Sequence, residues 1–150
     1  MGVIKQQDLA EGEHSLVVWK TTAKHEIPGV LNGKNTYFSE NPTTTEHAGG
    51  VDALPRRTWA MAVRYSLHLM EQRAPGEGVE VRVAPWGAIK ILEGPASDPH
   101  NLTPPDVIEL EPDVWLRLVC GITTWDEEKK AGHISAVGER DDLSGLLPLI

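Results

Sequence analysis

The fold is decided by Val79-Glu80-Val81-Arg82-Val83-Ala84-Pro85-Trp86-Gly87-Ala88-Ile89-Lys90-Ile91. Val79, Val81 and Val83 alternate strictly with Glu80 and Arg82, the period-two pattern of a strand with one face in a core. Pro85-Trp86-Gly87 then makes a tight turn. Ala88 to Glu93 reads as the returning strand, with Ile89 and Ile91 on one face. Upstream, Pro55 sits where a helix accepts proline, in its first turn. From there Trp59, Val63, Leu67, Met70 and Ala74 step along one face at three- and four-residue intervals, and Pro75-Gly76 stops the helix. Downstream, Gly94 to Pro105 is a loop carrying Pro95, Pro99 and Pro104, and Val107-Ile108-Glu109-Leu110 is a third strand. Pro112 opens a short helix with Val114, Trp115, Leu118 and Val119 on its apolar face, closed by Gly121. Thr124 and Glu127 have the spacing of a capping box for a second short helix, which ends in Lys129-Lys130 and a C-capping Gly132. Ile134 to Val137 is a last strand. This order argues an α+β fold, a sheet with helices on one face.

The region before this body is read in two parts. In residues 1–23, Leu9, Leu16 and Ala23 recur at seven-residue spacing and predict a helix, although Leu16-Val17-Val18-Trp19 is also rich in strand formers. Residues 24–52 hold Pro28-Gly29, Asn32-Gly33, Asn41-Pro42 and Gly49-Gly50, all turn signals. They are expected to form an irregular arm, pinned by Val30, Leu31, Tyr37 and Phe38 on this molecule or on a second copy, which would make it a homodimer contact. The whole of residues 1–150 is expected to be a single domain, with 53–150 as its body.

Composition narrows the function classes. The 150 residues are 40% hydrophobic and 24% charged, as in ordinary globular proteins. A net charge of −8 repels phosphate backbones and anionic surfaces, so nucleic acid is not expected as a partner. The longest apolar run, Trp59 to Val63, falls far short of the roughly 20 residues of a membrane helix. No signal-peptide core is seen near Met1, and Met1-Gly2 lacks the Ser/Thr at position 6 of a myristoylation signal. The single Cys120 excludes an intramolecular disulfide and fits a reducing compartment. A cytoplasmic protein is expected.

No motif announces catalysis. Gly29 to Asn35 resembles a phosphate loop only faintly, because it lacks the required spacing and the hydroxyl after Lys34, and a turn explains it better. Ser135, between Gly132 and Gly138, is wrongly spaced for a nucleophile elbow. The six histidines, His14, His25, His47, His68, His100 and His133, include no pair three or four apart, and His68 with Glu71 is half a metal site at most. Cys120 reads as a buried inert thiol. Asp141-Asp142 reads as a cap on a final helical turn. No catalytic residue, metal or cofactor is assigned.

There remains the apolar tail, Leu143, Leu146, Leu147, Leu149 and Ile150, five large aliphatics within eight residues. Fully burying each would contribute about 1.5–3 kcal/mol, so they are either ordinary core or a lid over an apolar slot. Pattern alone does not separate a filled core from a lined cavity.

Several short motifs now follow in order: Arg64-Tyr65-Ser66-Leu67, Ala74-Pro75-Gly76, Val79 to Val83, Pro85-Trp86-Gly87-Ala88, Glu93-Gly94-Pro95, Thr103-Pro104-Pro105-Asp106-Val107-Ile108-Glu109 and Asp141-Asp142-Leu143-Ser144. Together they resemble the small sterol-carrier-like proteins of actinobacteria, within the sterol-carrier-protein superfamily. The resemblance covers about residues 53–149 and includes the closing frame Gly132 to Gly138. It implies an α+β fold with a mostly antiparallel sheet of about five strands, helices packed on one face, and an enclosed apolar tunnel. The residues themselves show four strands, so a fifth is either missing here or lies within 10–40. It also implies non-enzymatic binding or carriage of a lipid-like, apolar or amphipathic small molecule. The related mycothiol-dependent isomerases carry such a domain beside a helical metal-binding domain. Residues 1–52 supply no such bundle, so in that chemistry this chain would be an accessory partner.

The expected ligand-binding residues are Val81, Val83, Ile89 and Ile91 on the sheet, facing Trp115, Leu118, Leu143 and Leu147. The competing readings are an interaction or oligomerisation module with a filled cavity, and an enzyme subunit using a loop residue such as His100.

Overall fold

The computed structural model describes residues 2–26, 50–94, 106–138, 140 and 142–150. A 3-10 turn at Gln6–Asp8 leads into helix α1, Leu9–Glu26, and another at Gly50–Ala53 leads into α2, Arg56–Arg73. Strands β1, Val79–Val83, and β2, Gly87–Ile91, form the expected hairpin. β3, Asp106–Leu110, is followed by α3, Pro112–Val119, α4, Trp125–Lys130, and β4, Ile134–Val137.

α1 is helical through the run of strand formers because its buried positions keep helical spacing. Leu16, Trp19 and Ala23 are in the core, while Val17 is 53% exposed. Tertiary packing on α2 therefore outweighs local strand preference. The helices meet at Gly12, where an added Cβ would stand 2.7 Å from the Tyr65 Cβ, so only glycine permits this approach. Within the 10–40 stretch left for a fifth strand, residues 10–26 are helix and hold none. Residues 27–49, with Val30, Leu31, Tyr37 and Phe38 of the expected arm, and residues 95–105 lie outside the described residues.

The sheet is four-stranded in the order β2-β1-β3-β4. Ile89, Val81, Ile108 and Ala136 lie in one row across it, by the pairings Val81↔Ile89, Val81↔Ile108 and Ile108↔Ala136. The outer pairs are antiparallel, but the central β1–β3 pair is parallel, so the sheet is mixed. Alternation fixes which face of a strand is buried and says nothing about its neighbour or direction. On the inner face Val79, Val81, Val83, Ile89, Ile91, Ile108 and Leu110 join Val63, Leu67 and Met70 of α2 and Trp115 and Leu118 of α3 in one core.

After β4 the chain turns at Gly138, where φ is +113°. A Cβ there would lie 1.7 Å from Asp106 Oδ1. Arg140 then reaches back, 3.5 Å from the Asp106 carboxylate, and donates to the carbonyl of Glu93. The turn is held over the start of β3 and the end of the β1–β2 hairpin.

Candidate functional site

The sheet and α3 bring the expected residues together. Val81, Val83, Ile91 and Trp115 are fully buried, Ile89, Leu118 and Leu143 nearly so, and Leu147 is half-buried against the same cluster. The Trp115 indole N–H has its partner inside the core, donating to Ser66 Oγ at 2.8 Å. Ser66 in turn donates to the carbonyls of Ala62 and Val63. That closed arrangement leaves the Trp115 polar atom satisfied without a ligand. The eight side chains are a packed layer in this state of the molecule.

The tail is laid over the ends of α2 and α3. Asp142 Oδ1 accepts from the backbone N–H of Ser144 at 2.8 Å, just ahead of a 3-10 turn at Ser144–Leu146 whose N-cap position is Leu143, so Asp142 bends the chain into the turn instead of capping it. That hydrogen bond lowers the carboxyl pKa of Asp142. Arg73, at the end of α2, donates from Nη1 to the carbonyls of Leu146 and Pro148, at 2.9 and 3.0 Å. The N–H groups of Leu149 and Ile150 donate to the carbonyl of Val119, at 2.9 and 3.2 Å. Leu143 is sunk in the core, while Leu146, Leu147 and Leu149 are partly buried against it and Ile150 is 40% exposed. The segment is anchored at Leu143 and strapped beyond it.

Two surface grooves lie elsewhere, and neither is lined by these eight residues. One, of about 580 Å³, is bounded by Arg82, Glu109, Glu111, Asp113, His133 and Ser135. The other, of about 400 Å³, runs past Asp52, Arg56, Trp59 and Trp86 to Pro112 and Asp113.

The structure adds a polar cluster that sequence reasoning missed. Glu128 of α4 is buried and takes Arg117 bidentately at 2.8 and 3.1 Å, Thr123 Oγ1 at 2.7 Å and His133 Nδ1 at 2.7 Å. Burial opposes its ionisation, but these partners, Arg117 foremost, outweigh burial and hold the carboxyl at about 2. Arg117 also bonds Asp113 at 3.0 Å. The available signal was Glu128 three residues after Trp125, on the buried side of a capped helix. His133 belongs to this cluster with its side chain about half exposed. Burial pushes the Cys120 thiol up to about 11, the environment of an unreactive thiol. Among the described residues no group of three or more His, Cys, Asp or Glu side chains could hold a metal ion. His47 and His100 lie outside them.

Residues 55–149 match the family described as bacterial SCP ortholog. The chain belongs to this bacterial sterol-carrier-like family. The match begins at Pro55, the N-cap of α2, and ends at Leu149, so it takes in the strapped tail and leaves α1 outside. No curated protein matches the chain. Among the described residues of this sterol-carrier-like protein, no helix is long and apolar enough to cross a membrane.

Proposed function

We propose that this sterol-carrier-like protein binds an apolar or amphipathic small molecule without catalysing a reaction on it, acting in the cytoplasm as a carrier. The site is the layer between the inner sheet face and α3, entered where the tail lies. Val81, Val83, Ile89 and Ile91 form its floor, and Trp115, Leu118, Leu143 and Leu147 its roof. The observation that carries this reading is the fastening of residues 144–150. Three half-buried leucines cover the core, and among the described residues the backbone of the strap is tied to Arg73 and to the Val119 carbonyl. A segment held so locally can open without unfolding the sheet, as ligand-gating elements do.

The test is truncation after Asp142, with a thermal melt and titration of a fluorescent fatty acyl probe. The carrier reading expects changed probe affinity and a modest loss of stability. A large drop in melting temperature, with no probe bound by either form, would favour the second reading, an interaction module. That reading is supported by the close packing of the same eight residues, since a filled core offers a ligand no space.

A further inference from the structure

The smaller groove is walled by indoles. Trp59 and Trp86 are stacked with ring centroids 6.3 Å apart and planes at 23°, and Trp19 closes the far side of Trp59 edge-on at 5.7 Å. The walls are fixed from behind. Trp59 Nε1 donates to the carbonyl of Val51 at 3.0 Å, which ties the Gly50–Ala53 turn to α2. Arg64 Nε donates to the carbonyl of Trp86 at 3.2 Å, which ties the β1–β2 turn to the same helix. Asp113, on the opposite rim, is steadied by Arg117. This is preorganised surface, the kind that loses little entropy when a ligand settles on it.

Two charges on this frame have no hydrogen-bond or ion-pair partner among the described residues. Arg56 lies with its guanidinium carbon 5.8 Å from the Trp86 ring centroid, and it makes no hydrogen bond or ion pair with a described residue. Asp52 lines the same groove and likewise has no partner among the described residues. A cation alone would meet Arg56 there. An anion alone would meet Asp52, Asp113 and the field of a protein carrying −8. A group bearing both charges answers both side chains. The guanidinium already marks the indole face on which a cation rests, because the ring quadrupole attracts positive charge. Its five donors are better used on an oxyanion.

The geometry points to this groove as a binding site for a small zwitterion, an alkylated ammonium joined to an oxyanion. On binding, Arg56 swings from Trp86 to the oxyanion, and the ammonium takes the vacated ring face with Asp52 beside it. Phosphocholine is the probe that carries this chemistry, either as a free solute or as the head of an amphipath. The site is separate from the tail and does not depend on the carrier reading.

The experiment follows the indole N–H resonances of the full chain, whose five tryptophans each report one place. Phosphocholine should shift Trp59 and Trp86 saturably and leave Trp125 unmoved. It should bind about tenfold or more tightly than choline or inorganic phosphate, because charge-assisted bonds form at both ends. Arg56→Gln and Asp52→Asn, both at exposed positions, should each weaken it about fivefold or more by removing one such end. Equal binding of the three solutes, no saturable shift, or binding unchanged in both variants would overturn the proposal. Dodecylphosphocholine below its micelle concentration separates the sources. A large gain in affinity identifies an amphipath's head group, and equal affinity a free solute. Loss of acyl-probe binding with the phosphocholine shift retained would remove the carrier reading alone, and the reverse result would remove this one alone.

Discussion

Glu128 shows how one side chain can bind three elements. Its carboxylate joins α4 to Arg117 of α3 and to His133 before β4, and it is buried only because those partners replace water. Its pKa of about 2 in the fold lies below the ordinary carboxylate value of 4.5. The stabilisation is therefore complete above the unfolded value and is lost as pH falls through the folded one. Linkage puts its size at roughly 3 kcal/mol, to be lost between about pH 5 and pH 2. Denaturant melts across that range should show a steep acid limb in the native chain and a shallower one in Glu128→Gln, whose stability at pH 7 is already reduced. Equal limbs would mean that other carboxylates carry the acid sensitivity. Gly138 makes a second residue-scale case. Gly138→Ala meets both a φ of +113° and Asp106 Oδ1 at 1.7 Å, whereas Gly132→Ala meets a φ of +80° with open space around it. Left-handed backbone alone costs about 1–2 kcal/mol for a non-glycine residue, so the Gly138 variant should lose clearly more stability than the Gly132 variant. A chemical-denaturation comparison of the two decides it.

At the scale of elements, α2 is the spine, with α1 on one side and the sheet and α3 on the other. Its face Val63, Leu67 and Met70 is fully closed from solvent. Leu67→Ala should cost about 2–5 kcal/mol, as core truncations do, read as a fall in the denaturation midpoint at unchanged slope. A loss below about 0.5 kcal/mol would contradict the packing described. This face was legible in the sequence because helical spacing is a local property. So were the β1–β2 alternation and the Thr124–Glu127 box, in which Thr124 Oγ1 accepts from Glu127 N at 3.2 Å and Glu127 Oε1 accepts from Thr124 N at 2.8 Å. The parallel β1–β3 pairing was not legible, since a strand's own residues do not specify which edge it will join. Glu128 escaped for a related reason: its spacing from Trp125 put it on the buried side of α4, but its counter-charge Arg117 stands on another helix, so nothing local showed that a carboxylate there would be paired. For the six expected residues on β1, β2 and α3, Val81, Val83, Ile89, Ile91, Trp115 and Leu118, alternation and helical spacing pointed the side chains inward, and all six are buried. Those patterns could not say whether the space between them is filled, because the same residue types line both a core and a cavity.

For the whole molecule, the decisive relation is between a tightly tied body and a lightly tied tail. The body is bound by sheet pairing, the α1–α2 contact and the Glu128 cluster. The tail shares the core through Leu143, lays Leu146, Leu147 and Leu149 half-buried against it, and is tied by Arg73 and the Val119 carbonyl. Arg73 is exposed, and its bonds to the Leu146 and Pro148 carbonyls are the part of this fastening that a substitution can remove without opening the core. Arg73→Met keeps the aliphatic stem and deletes both bonds. Global stability should fall by less than about 1 kcal/mol, as for surface polar contacts generally. Local opening should respond far more strongly. The amides of Leu149 and Ile150, which donate to Val119, should exchange with deuterium markedly faster, while those of β1 and β3 keep native protection. Acyl-probe affinity should change in the same variant, because the population of the opened tail sets the fraction of molecules able to bind. Exchange rising equally in the tail and the sheet would show one cooperative unit, and the tail would then be structural core rather than a lid.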